Sequence, residues 1–118
     1  MQLLRERREF TGCRRAGELP ALGNRAHISV AGVVTNRQRP GTASGVLFMT
    51  LEDETGNHNL VIWPDTLKRF RQACLHGYLL RVDGRLEQKD GVIHVIAGHI
   101  RMHNELLGEL ELSSRDFH

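Results

Sequence analysis

A single proline-led helical segment interrupts the alternating part of this chain, and its position narrows the fold more than any other feature. Pro64 stands where a helix starts, and "DTLKRFRQACL" spaces Leu67, Phe70 and Cys74 along one side until Gly77 stops it. Three strand-like segments precede it: "HISVAGVVTN" (27–36), "VLFMTLED" (46–53) and "HNLVIW" (58–63). Two follow, "YLLRVDGRLEQ" (78–88) and "VIHVIAGHIRM" (92–102), joined by a "KDG" hairpin turn. Three strands, a helix and two strands is the order of an OB-fold, a small Greek-key barrel. An SH3-like barrel has no helix at that place, and a ferredoxin-like fold needs two. Gly32, Gly84 and Gly98 inside the strands fit the hard bending that closes a small barrel. The expected fold is all-β, a five-stranded OB barrel with a helix between strands 3 and 4 and a short helical N-terminal arm.

The period-two pattern assigns faces. Leu47, Met49 and Leu51 point inward, and Phe48, Thr50 and Glu52 outward; the inverse assignment would make Phe48 a core residue. Tyr78, Leu80, Val82, Gly84 and Leu86 share one face of the fourth strand, opposite Leu79, Arg81, Asp83 and Arg85. Trp63 and Tyr78, at strand ends, read as packing residues.

With 118 residues the chain has room for one domain and little more. Its net charge of +2 is too small to identify a partner. The distribution is more informative: a basic arm over 1–26, a mildly basic core over 27–103 and an acidic tail over 104–118, compatible with a polyanionic ligand. The arm reads as a linker from a preceding domain, or as a segment lying on the core. The tail carries Leu106, Leu107 and Leu110 at near-helical spacing with no evident partner in the chain. Cys13 and Cys74 lie far apart and read as two reduced thiols of a cytoplasmic protein. No apolar run approaches the ~20 residues of a membrane span.

Catalytic and metal chemistry find little support. Glu52, Asp53 and Glu54 cluster at the tip of a turn closed by Gly56, where consecutive acids diverge instead of converging on an ion. The seven histidines form no ligand-spaced pair, and His94 and His99, five apart, are expected on opposite faces. No Gly-x-Ser-x-Gly elbow or P-loop occurs. No metal, cofactor or catalytic residue is therefore expected.

Nucleic-acid chemistry has better candidates. Arg37 and Arg39 lie two apart in the loop joining the first two strands, spaced to project together toward phosphate, or simply into solvent. Phe48 is placed to stack a base, with Thr50 beside it and Asn59 in the next strand able to read a base edge. Arg81, Arg85 and Lys89 would continue a positive track, although Arg81 and Arg85 could equally pair with Asp83 or meet a neighbouring domain.

The blocks "VAGVVTNRQRPGTASGVLFMTLEDETGNHNLVIWP" and "LRVDGRLEQKDGVIHVIAG", with the terminal "SRDFH", resemble the C-terminal OB domain of bacterial error-prone DNA polymerases, C-family enzymes related to the polymerase III alpha subunit. The resemblance covers roughly residues 26–118. It implies a module that contacts single-stranded template for a low-fidelity polymerase used in DNA damage tolerance and repair, with Phe48 matching an aromatic that stacks on bases. The family's catalytic aspartates belong to a palm domain that has no counterpart here, so this chain is not expected to polymerise DNA. His58 and Asn59 depart from a more apolar family pattern, and no Gln-x-x-Leu-Phe clamp peptide is present. The expected partners are single-stranded DNA, bound with little sequence preference and a steep salt dependence, and the rest of the parent polymerase. The alternative is a docking module for an accessory mutasome protein or for the polymerase itself, using the tail leucines.

Overall fold

The computed structural model describes residues 4–39 and 45–107. Five strands close into a barrel: β1 (His27–Gln38), β2 (Leu47–Asp53), β3 (Gly56–Ile62), β4 (Leu79–Lys89) and β5 (Val92–Met102), in the spatial order β1-β2-β3-β5-β4 with β1 returning to β4. β3 and β5 run parallel, pairing Leu60 with Val95 and Val61 with Ile96. This is the OB-fold expected from the element order. The β4–β5 turn is made by Asp90 and Gly91, both at positive φ (53° and 78°), as an Asp-Gly hairpin requires.

β1 serves two neighbours by bending. Its first half pairs with β4 through Val33, and its second half pairs with β2. The crossing is close at Gly32, where a Cβ would sit 2.6 Å from the Glu52 carbonyl oxygen. Gly84 on β4 is as tightly placed, where a Cβ would lie 2.3 Å from the Ile96 carbonyl oxygen. β1 and β5 each carry an irregularity, between Val34 and Asn36 on β1 and opposite the Asp83–Gly84 step on β5. Extra residues of this kind bend a strand and reverse which side chains face inward beyond them.

The barrel interior is filled by Val30, Leu47, Met49, Leu51, Leu60, Ile62, Leu80, Val82, Leu86 and Val95. The inward assignment of Leu47, Met49 and Leu51 therefore holds, and Phe48 faces out. The segment after β3 forms two short helices, α1 (Pro64–Arg69) and α2 (Arg71–His76), where the spacing suggested one. Phe70 (φ −118°, ψ 38°) breaks the helical path between them. Leu67 and Cys74 still plug the barrel as their spacing implied.

The described part of the N-terminal arm is a chain of turns that includes the 3-10 segments Arg8–Phe10 and Ala16–Ala21, packed onto the barrel. Leu4 and Phe10 meet Ala31, Leu79 and Leu106 in a second apolar cluster outside the barrel. Leu79, assigned to a polar outer face, is thus completely buried, and Leu106 is core instead of an exposed tail leucine. Leu110 and the "SRDFH" terminus lie outside the described residues. No helix among the described residues is long and apolar enough to cross a membrane.

Candidate nucleic-acid interface

Strand register arranges the outer surface of β1, β2, β3 and β5 into rows. Thr50 pairs with Asn36 on one side and Asn59 on the other, and Leu60 pairs with Val95, which sets His94 beside Asn59. The row is therefore Asn36–Thr50–Asn59–His94, four side chains that hydrogen-bond without a fixed charge. The adjacent row runs Gln38–Phe48–Val61–Ile96 by the same pairings. Phe48 is 40% exposed, high for an aromatic in mid-strand, and with Gln38 and the four residues of the first row it lines a depression of about 220 Å³. Glu52 and Asn57 face each other at the far end. A flat apolar ring bordered by neutral hydrogen-bonding groups suits a nucleobase, whose faces are apolar and whose edges are polar.

Of the eight residues expected to bind, three meet here: Phe48, Thr50 and Asn59. Arg39, next in chain to Gln38, and Lys89, at the β4–β5 turn, are exposed at opposite margins of the surface. Arg85 is half exposed and pairs with Glu87 at 3.2 Å.

The remaining two are structural. The irregularity before Asn36 turns Arg37 inward, level with buried Met49. Its guanidinium donates to the Cys74 carbonyl at 2.7 Å and to the Gly77 carbonyl, capping the end of α2. Arg81 donates to the Glu9 and Thr11 carbonyls, at 3.1 and 2.7 Å, and to Asp83 at 3.3 Å, so it clamps the arm. Both guanidiniums are engaged within the protein. We expect Arg37→Ala to leave oligonucleotide affinity unchanged while costing about 1–3 kcal/mol of stability, read as a lower urea midpoint.

The three acids separate as the alternation implied, but Asp53 does far more than shape a turn. Its Oδ1 accepts from the Thr55 amide (2.7 Å), the Thr55 hydroxyl (2.8 Å) and the Gly56 amide (3.1 Å). Its Oδ2 accepts from the Ala16 amide (2.8 Å) of the arm and from His58 Nε2 (2.6 Å). Arg5 bridges to Glu54 and stands 3.6 Å from Asp53. Burial alone would raise the Asp53 pKa; the Thr55 and Ala16 amides, the Thr55 hydroxyl and His58 outweigh it and bring the carboxyl from 3.8 to about 2. Burial pushes His58 below its ordinary value despite the carboxylate. Every strong partner is internal, so the cluster is a joint between turn and arm. Among the described residues no group of three or more His, Cys, Asp or Glu is placed to hold a metal.

Several surface residues escaped the sequence reading. Asn36, Gln38 and His94 belong to the depression, and Trp63 is 51% exposed instead of packed. Trp63 continues the outward alternation of β3 two residues beyond Val61, which was a usable signal. Tyr78 is 60% exposed, also against expectation. His94 and His99 share the outer face, because they pair with Glu87 and Asp83 on either side of the β5 irregularity. Cys13 and Cys74 are both free thiols, with burial raising the Cys74 pKa to about 11.

Residues 28–102 match the family described as OB-fold nucleic acid binding domain. Similar proteins include the error-prone DNA polymerase of Saccharophagus degradans, 52% identical over all 118 residues, and that of Pseudomonas fluorescens, 48% identical over the same length. The chain spans only 12% of each of those polymerases. Among solved structures, asparaginyl-tRNA synthetase from Pyrococcus horikoshii superposes with a TM-score of 0.65 at 20% identity, over 78% of this chain and 22% of that one. An OBody bound to hen egg-white lysozyme gives 0.63 at 17% identity, over 79% and 94%. The paired strands, the helical plug after β3 and the sequence match over β1 to β5 agree: the chain belongs to the OB-fold nucleic acid binding domain family.

Proposed function

We propose that this domain binds single-stranded DNA across the β1-β2-β3-β5 surface and serves as the C-terminal template-contacting module of an error-prone, damage-tolerance DNA polymerase. The observation that carries it is the open ring of Phe48 in the middle of that surface, with hydrogen-bonding side chains around it and Arg39 and Lys89 at its margins. Similarity to error-prone polymerases over the whole chain supports the parent enzyme. The domain itself contributes no catalytic group to this reading; it holds the strand while another part of the enzyme performs the chemistry.

With Arg37 and Arg81 engaged internally, three of the five expected cations remain for phosphate, Arg39, Lys89 and Arg85, the last of them paired with Glu87. The salt slope for a single strand is then about −1.4 to −2, and affinity drops only about 7- to 20-fold between 50 and 200 mM salt. This is shallower than five free cations would give. Trp63 is the single tryptophan and half exposed, so its fluorescence reports binding directly. Phe48→Ala is expected to weaken binding of a labelled 15-mer by about 1–3 kcal/mol. Absence of binding at low salt, or an unaltered affinity in that variant, rejects the reading.

Docking against the rest of the polymerase or an accessory mutasome protein is the second reading. Exposed Tyr78 and Met102 favour it, since both flank Asn104, whose side chain caps the Tyr78 amide at 2.7 Å. Loss of polymerase capture in Tyr78→Ala with DNA affinity intact would assign that end of the barrel to protein contact.

A further inference from the structure

We propose that the Phe48 depression is selective for one nucleobase, preferring adenine, because its amide row is placed to read the edge of the base stacked on the ring. The inference rests on the single-stranded DNA reading above and departs from it in predicting sequence preference. Three amide side chains surround Phe48: Gln38 directly across the strand pair, and Asn36 and Asn59 on either side of Thr50. Thr50 is two residues along β2 from Phe48, so its row lies about 7 Å from the ring. A base lying flat on Phe48 would direct an edge toward that row.

The polar atoms there are unspent. Among the described residues, the side chains of Asn36, Gln38, Thr50 and Asn59 make no hydrogen bond within the protein. This contrasts with Arg37, Arg81 and Asp53, whose polar atoms are consumed internally. Each amide offers one acceptor and a pair of donors, which match bidentately the N6 donor and N7 acceptor of adenine, an edge where guanine presents two acceptors. The larger purine face also covers more of Phe48 than a pyrimidine does. With few cations nearby, base contacts carry a larger share of the affinity than in a basic groove, so discrimination is not swamped by phosphate binding.

The test compares fluorescence titrations of the 118-residue chain at 50 mM salt with two DNA 15-mers, all-thymine and thymine interrupted by adenine at every third position; interruption by cytosine serves as control. The adenine-bearing strand is expected to bind about fivefold tighter or more than either other strand. Asn36→Ala and Asn59→Ala should each reduce that ratio toward one, each costing more affinity for the adenine-bearing strand than for all-thymine. Equal binding of the three strands with continued sensitivity to Phe48→Ala overturns the base preference and leaves the DNA-binding reading standing. Tighter binding of the cytosine-bearing strand, or a ratio unmoved by either Asn variant, also overturns it. Failure of all three strands to bind overturns both.

Discussion

An Asp53→Ala variant is expected to lose about 3–5 kcal/mol of folding stability, the penalty for removing one partner of a buried charged network. The loss has three identifiable parts. The Thr55 and Gly56 amides lose the acceptor that holds the two-residue turn between β2 and β3. The Ala16 amide loses its tie, which loosens the arm. His58, wholly buried, keeps neither ring nitrogen paired, since its Nδ1 already has no partner. Asp53→Asn preserves one acceptor oxygen and should fall between the two. A urea titration of the three proteins ranks them; a loss under 1 kcal/mol for Asp53→Ala would contradict the network.

The same residues set the acid response. The folded-state pKa of Asp53 is depressed to about 2, so its contribution is fully present above its ordinary value of 3.8 and is lost as pH falls toward 2. His58 is likewise depressed from 6.5, but for a histidine this means that the unfolded chain takes up its proton first. Stability therefore begins to fall below about pH 6.5. Two declines are expected in the urea midpoint, and His58→Leu should diminish the upper one while Asp53→Ala removes the lower.

What could be read from the sequence followed from local periodicity. Alternation in "VLFMTLED" set the faces of β2 correctly, and the position of Pro64 set the order of elements, because both depend on neighbours within a few residues. The errors share a physical cause. One irregularity at Thr35 moved Arg37 from the surface to the end of α2 and put Asn36 and Gln38 in its place. A period-two count cannot detect an inserted residue. Arg81 and Leu79 were misjudged because the arm that covers them is some seventy residues away in the chain. Asp53 was recognised as a turn residue from Gly56, yet its union with Arg5 and Ala16 depends wholly on tertiary contact. Of the candidate site, the aromatic, its in-strand neighbours and the exposure of Arg39, Arg85 and Lys89 were legible, whereas the internal engagement of Arg37 and Arg81 was not.

Phe10→Ala should be the most disruptive change in the arm, costing about 3–5 kcal/mol as other buried phenylalanine truncations do. Phe10 is 1% exposed and packs edge-to-face on His103 with ring centroids 5.5 Å apart, within the cluster of Leu4, Ala31, Leu79 and Leu106. Arg81 grips the backbone on both sides of it, at the Glu9 and Thr11 carbonyls. Ring and clamp therefore depend on each other, and loss of the ring frees the guanidinium. Two measurements follow. Trypsin should cut the variant faster at Arg7, Arg8, Arg14 and Arg15, while a merely draped arm would show cleavage equal to that of the parent chain. Release of Arg81 also adds a cation to the outer surface, so a strand long enough to reach it should show a salt slope steeper by about 0.7. Faster cleavage with an unchanged slope would place Arg81 beyond the path of the DNA, and would confine binding to the Phe48 side of the barrel.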